Sequence, residues 1–217
     1  MTLTLYHCRD ARSFRPLWAL EELGIDYTLV GMQFPPRYHH DGYKEINSLG
    51  TVPTLLDGDL VMTESSAMCQ YLAEKYGDTA SLDKSLRVGV SEPAYGEYLN
   101  WMFQSDATYT WPLALTLRYS LMEPLDRRQP QVVDDYKKWF LNRAKWIEEH
   151  LENSDYLCAN RFTMADITVG YALFFSSFIK GLSEELGPNT KAYLTRLKNS
   201  PSFKQAQAKQ SDLPALF

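Results

Sequence analysis

The sequence predicts an α/β segment followed by an all-helical one, and three observations carry that reading. Over the first eighty residues, short apolar runs alternate with apolar positions at helical spacing. Asp57-Gly58 separates two of the short runs, the strongest short-range signal for a β-hairpin. Beyond Arg87 no β-type run of comparable strength follows, and apolar residues recur at helical intervals.

Leu3 and Leu5 lie on one face of an opening strand. Leu17, Trp18, Leu20 and Leu23 then fall at helical spacing, and Gly24 stands where a helix end favours a left-handed residue. An extended stretch over Tyr27 to Val30 comes next, and strand, short helix, strand implies parallel pairing. A polar loop carries Pro35, Pro36, His39 and His40. Thr54-Leu55-Leu56 and Leu60-Val61-Met62 form the two arms of the hairpin, and Met68, Leu72 and Tyr76, behind Ser65-Ser66, mark a helix closed by Gly77. The small, charged segment Asp78 to Arg87 reads as an interdomain connection, so the expected domains are 1–79 and 88–217.

In the second domain, Tyr136, Phe140, Arg143/Ala144, Ile147 and Leu151 mark one face of a long helix. Tyr193, Leu194 and Leu197 begin a shorter one before Pro201. Phe162-Thr163-Met164-Ala165-Asp166-Ile167 is a sharper signal. Thr163 accepts from the N–H three residues on while Asp166 reaches back, and Phe162 staples onto Ile167. Such a cap contributes about 1 kcal/mol. The helix behind it is apolar around most of its circumference and should be buried.

The composition excludes several function classes. A formal charge of −5, with no basic run of five or more, argues against a nucleic-acid partner. Cys8, Cys69 and Cys158 are far apart and form no CxxC pair, which fits neither a disulfide framework nor a zinc site and points to a reducing compartment. Adjacent His39 and His40 do not share a face, so no metal is expected there. Charge arrives at Arg9 and Asp10 before any apolar signal-peptide core. The longest uncharged stretch, Ile167 to Ile179, is shorter than the roughly 20 residues of a membrane span. A soluble cytoplasmic protein without membrane association is expected.

Thr51-Val52-Pro53-Thr54-Leu55 at a strand entry, Glu64-Ser65 at a helix start and the Thr163–Asp166 capping box occur in this order. Each piece is common; their succession is specific. Together they resemble the cytosolic glutathione S-transferases over essentially the whole chain. The resemblance implies a thioredoxin-like N-terminal domain, an all-helical C-terminal domain that contributes the electrophile pocket, glutathione as co-substrate, no metal, and a homodimer. The run Ala11-Arg12-Ser13-Phe14-Arg15 further resembles a bacterial and fungal subgroup.

By that resemblance, Val52 offers its main-chain N–H and C=O to the cysteinyl part of glutathione, as a strand added to a sheet edge, with Pro53 in the cis form. Glu64 faces the γ-glutamyl ammonium, and the Ser65 hydroxyl and amide hold its carboxylate at a helix N-terminus. Arg37 or a histidine, with His40 the choice, meets the glycyl carboxylate. Read from the residues alone, Arg12 and Arg15 either add positive potential near sulfur or are solvated surface charges.

A free thiol has a pKa near 8.5, so the enzyme's task is to favour the thiolate. A depression of about two units needs about 2.7 kcal/mol, within reach of one well-placed hydrogen bond and a helix N-terminus. Its donor should lie between the first strand and first helix, where the family uses Tyr, Ser or Cys and this chain offers all three. Ser13 ranks first, Tyr6 second and Cys8 third. Counted back from Glu22-Leu23-Gly24, Tyr6 falls near the family's Tyr position, whereas its Ser position falls nearer Asp10 or Ala11 than Ser13. The aromatic-rich stretch Trp101, Met102, Phe103, Tyr109, Trp111, Tyr119 either lines an apolar electrophile pocket, with Tyr109 and Trp111 as its chosen residues, or serves mostly as core packing. Two alternatives stand beside transfer: Cys8-dependent glutathione thiol-disulfide exchange, and a non-catalytic interaction module that keeps the fold.

Overall fold

The computed structural model describes residues 3–77 and 85–215. The expected domain boundary at residue 79 and most of the connection from Asp78 lie outside the described residues, as does residue 217. The chain divides into two compact units, Met1–Arg87 with Lys198–Phe217, and Val88–Leu197.

The first unit opens with β1 (Leu3–Cys8), α1 (Phe14–Leu23) and β2 (Tyr27–Met32). Two one-turn helices, α2 (Pro36–His39) and α3 (Tyr43–Ile46), occupy what the sequence presents as a polar loop. The hairpin β3 (Thr54–Asp57) and β4 (Leu60–Met62) leads into α4 (Ser65–Tyr76). The sheet order is β2-β1-β3-β4, with β1 parallel to β2 and antiparallel to β3, and β4 antiparallel to β3. Period-two alternation puts Leu3, Leu5 and His7 on one buried face, against a core that includes Trp18, Leu20, Met68 and Leu72.

Two glycines behave differently from each other. Gly24 closes α1 with φ 64, the left-handed cap the sequence predicts. Gly77 has φ −68 instead, and space is what demands glycine there, because a Cβ would run into the Ala73 carbonyl. The hairpin turn is displaced by one residue from the expected Asp57-Gly58. Asp57 still pairs with Leu60, so Gly58 and Asp59 form the turn, with φ 61 at Gly58.

The second unit is helical. Its α5 (Tyr95–Gln104) passes through a π-helical stretch at Ser105–Thr110 into α6 (Trp111–Leu117). Pro112 has no N–H for a regular helical bond, and the wider turns before it accommodate its ring, with Thr110 Oγ1 donating to the Ser105 carbonyl at 2.7 Å. The long helix α7 (Pro130–His150) buries Phe140, Ala144 and Ile147. Next, α8 (Met164–Ser176) is buried at every position, as its all-round apolar character predicts, and α9 (Pro188–Asn199) follows.

The expected capping box is present. Thr163 N–H donates to Asp166 Oδ2 at 2.8 Å, and Ala165 N–H to Thr163 Oγ1 at 3.3 Å. Among the described residues, no helix is long and apolar enough to cross a membrane.

Pro201 does more than end a helix: it occupies the first turn of α10 (Pro201–Lys209), whose N-cap Ser200 accepts from Phe203 N–H. Phe203 sits edge-on to Phe14 and Trp18, with ring centroids 5.2 and 5.0 Å apart, so residues 198–215 pack with the first unit rather than with the residues 88–197 they follow in the chain.

Candidate active site

The β1–β3 register pairs Thr4 with Leu56 and Tyr6 with Thr54. Continued by two places, that register sets Val52 level with Cys8, and both belong to one buried cluster with Ala11, Met32 and Tyr43, against which Tyr6 also packs. The Val52–Pro53 peptide is cis. Two side chains of the short α3 region hold this turn from below. Tyr43 Oη donates to Thr51 O at 2.6 Å and lies 2.7 Å from Thr54 Oγ1. Asn47 Nδ2 donates to the same two oxygens, each at 2.9 Å. Sequence reasoning missed both residues, because a Tyr and an Asn in a polar loop carry no period that announces a partner.

At the head of α4, Glu64 takes the N-cap position with an exposed side chain, and Ser65 is buried at the first helical position. The fully buried Arg15 donates through Nη1 to Ser65 Oγ at 2.9 Å. Arg15 therefore sets a positive charge against Ser65 at the N-terminal end of α4, where a carboxylate is expected.

The β1–α1 loop separates the three candidate activators. Ser13 is fully buried; its Oγ donates to Cys8 O at 3.2 Å and accepts from Cys8 N–H at 3.3 Å. It sits at the N-cap of α1 yet makes no cap bond. Cys8 is also buried, and desolvation pushes its thiol up to about 12, leaving it protonated at neutral pH. Tyr6 is half-buried, its ring 5.7 Å from that of Tyr43, and its hydroxyl has no hydrogen bond among the described residues. Arg12 is half-buried on the same loop. His40 is half-buried and edge-on to Tyr43, with centroids 6.1 Å apart.

Of the two electrophile-pocket candidates in the second unit, Tyr109 is buried and reaches Gln104 Oε1 at 3.4 Å, while Trp111 is 56% exposed. Burial holds the Tyr109 phenol well above its ordinary pKa.

Residues 1–74 match the family described as "Glutathione S-transferase, N-terminal domain", and residues 130–196 the one described as "Glutathione S-transferase, C-terminal domain". Glutathione S-transferase 1 of Zea mays is 30% identical over an alignment covering 88% of each chain. The chain belongs to the glutathione S-transferase family. Glutathione S-transferase 3 of Schizosaccharomyces pombe is 26% identical, covering 97% of this chain and 88% of its own. The glutathione transferase URE2P6 of Phanerochaete chrysosporium, solved with oxidized glutathione, has the same fold, with a TM-score of 0.84 at 21% identity over 98% of each chain. In this glutathione S-transferase, all residues expected to hold glutathione or activate its thiol fall inside the matched N-terminal range.

Proposed function

We propose that this glutathione S-transferase joins the glutathione thiolate to an apolar electrophile, and that Tyr6 supplies the hydrogen bond that stabilises the thiolate. One observation carries the choice: of the three candidate activators, Tyr6 alone has a polar atom that is neither engaged nor buried among the described residues. The reading keeps Ser13 as the residue that ties the loop to Cys8. The sulfur attacks an electrophilic carbon and either displaces a halide or adds to an enone, in which case water supplies the proton.

Val52 receives the cysteinyl main chain, Ser65 receives the γ-glutamyl carboxylate with Arg15 behind it, and Glu64 faces the ammonium. Arg12 and His40 meet the remaining charge of the tripeptide. Trp111, exposed where Tyr109 is buried, contacts the electrophile. The family match and the buried, protonated Cys8 both weigh against thiol-disulfide exchange. The run Ala11-Arg12-Ser13-Phe14-Arg15 supports placement in the bacterial and fungal subgroup. Likeness to the family supports a cytoplasmic homodimer that uses no metal, and sedimentation velocity checks the dimer.

Titrating the bound thiol by its ultraviolet thiolate absorbance tests the mechanism. The wild type should titrate about two units below free glutathione, and Tyr6→Phe should return most of that depression while Ser13→Ala keeps it. An unaltered thiol in Tyr6→Phe sinks the assignment.

A further inference from the structure

Just beyond α10, the Gln210 side chain is 1% exposed and lies 203 residues from the strand it touches. Its amide is used at both ends. Oε1 accepts from His7 Nε2 at 3.0 Å and from Asp10 N–H at 2.9 Å. Nε2 donates to Asp10 Oδ1 at 2.7 Å and to Gln207 Oε1 at 3.2 Å. The flipped amide would instead set its Nε2 donor against the Asp10 N–H and its Oε1 acceptor against Asp10 Oδ1.

The surrounding contacts point the same way. Arg9 Nη1 donates to Ser211 O at 3.0 Å and to Leu213 O at 3.3 Å. Leu213 lies over Gly31, the residue paired with His7 in the β1–β2 ladder, where any Cβ would collide with it. Asp10 meanwhile holds φ 58, a left-handed conformation that a non-glycine residue adopts at a cost and that this grip sustains.

We infer that Gln210 is a positioning residue for thiol activation: it clamps the end of β1 and the β1–α1 loop, and so sets where Tyr6 and that loop stand relative to the glutathione sulfur. The inference rests on the proposed function above. Hydrogen-bond stabilisation of a thiolate is lost when the donor is misplaced by about an ångström, so a loop that carries this chemistry needs support of its own. The tripeptide contacts at Val52 and Ser65 are held by Tyr43, Asn47 and Arg15 instead. Loosening Gln210 therefore separates thiol activation from glutathione binding.

The test uses Gln210→Glu, which keeps the size of the side chain but sets an acceptor against Asp10 Oδ1. The bound thiol should rise by about one unit, from about 6.5 toward about 7.5, which lowers kcat at pH 7 about threefold. The glutathione KM should stay within about twofold, because the contacts at Val52 and Ser65 are held by Tyr43, Asn47 and Arg15 rather than by Gln210. The Gln210→Glu/Asp10→Asn double variant restores a donor–acceptor pair across the same gap, now with the donor on residue 10, and should recover the wild-type thiol. An unmoved thiol in Gln210→Glu, or a shifted one that the double variant fails to recover, overturns the inference. Should Gln210→Glu not fold, Arg9→Ala, which releases the Ser211 and Leu213 carbonyls, must raise the thiol in the same direction, and an unmoved thiol there is equally fatal. If the wild-type bound thiol titrates like free glutathione, the proposed function falls and takes this inference with it; a depressed wild-type thiol indifferent to these variants removes the inference alone.

Discussion

Ser13 and Tyr6 each carry a hydroxyl near the end of β1, and what separates them is how each is spent. Both hydrogen bonds of the Ser13 hydroxyl close on the main chain of Cys8, five residues back, so its oxygen stabilises a turn that a rigid site requires. The hydroxyl of Tyr6 has no such commitment among the described residues. Cys8 makes the same point for sulfur. A thiol raised to about 12 by burial holds its proton at neutral pH and offers an attacking reagent no surface. Incubation of the native protein with glutathione disulfide, read by intact and peptide mass spectrometry, should therefore show no mixed disulfide at Cys8, and a stoichiometric adduct there would revive thiol exchange. From the sequence, Ser13 ranks first, Tyr6 second and Cys8 third; burial and hydrogen-bond partners, which no single position reveals, are the ground on which the proposal puts Tyr6 ahead.

Among the elements, α8 shows how far a local signal reaches. The Thr163–Asp166 cap is legible in six consecutive residues, because both partners of its reciprocal bond lie within one helical turn. Its wider role is not. Asp166 is fully buried, and besides Thr163 it accepts from Leu157 N–H at 3.1 Å and Tyr193 Oη at 2.7 Å. Burial pushes its carboxyl up to about 6 despite those donors. Asp166→Ala orphans the Leu157 and Thr163 N–H groups and the Tyr193 hydroxyl together, and should cost about 3–5 kcal/mol in urea unfolding, well beyond the roughly 1 kcal/mol of a simple cap. A loss of about 1 kcal/mol would reduce Asp166 to an N-terminal cap. The short helix α3 is the opposite case: one turn of chain has no readable period, yet Tyr43 and Asn47 from that region hold the Thr51–Thr54 turn.

For the molecule as a whole, pH reports on a histidine buried by the returning C-terminal segment. His7 is fully enclosed, and desolvation lowers it from 6.5 to about 4. Between those values the unfolded chain binds the proton and the folded one does not, so stability from this group is complete above 6.5 and is lost as the pH falls toward 4. His7→Gln removes that liability. Relative to the wild type, the variant should gain up to about 3 kcal/mol in urea unfolding as the pH drops from 6.5 to 4, and a constant difference across that range would show that His7 is not buried neutral.

By itself the sequence determined the order of the four strands and of the helices α1 and α4 in the first unit, the left-handed Gly24, the buried α8 with its capping box, and the residues where a glutathione site would be sought. All of these rest on periodicities and short spacings that local sterics and burial impose on any chain. Only the tertiary structure decided that Arg15 bonds to Ser65, that residues 198–215 return to the first unit, and that among the described residues Tyr6 rather than Ser13 keeps an uncommitted hydroxyl. The physical reason is range. The Arg15–Ser65 bond spans 50 residues and the His7–Gln210 bond 203, and the energy of such pairs exists only once the chain has brought them together and excluded water.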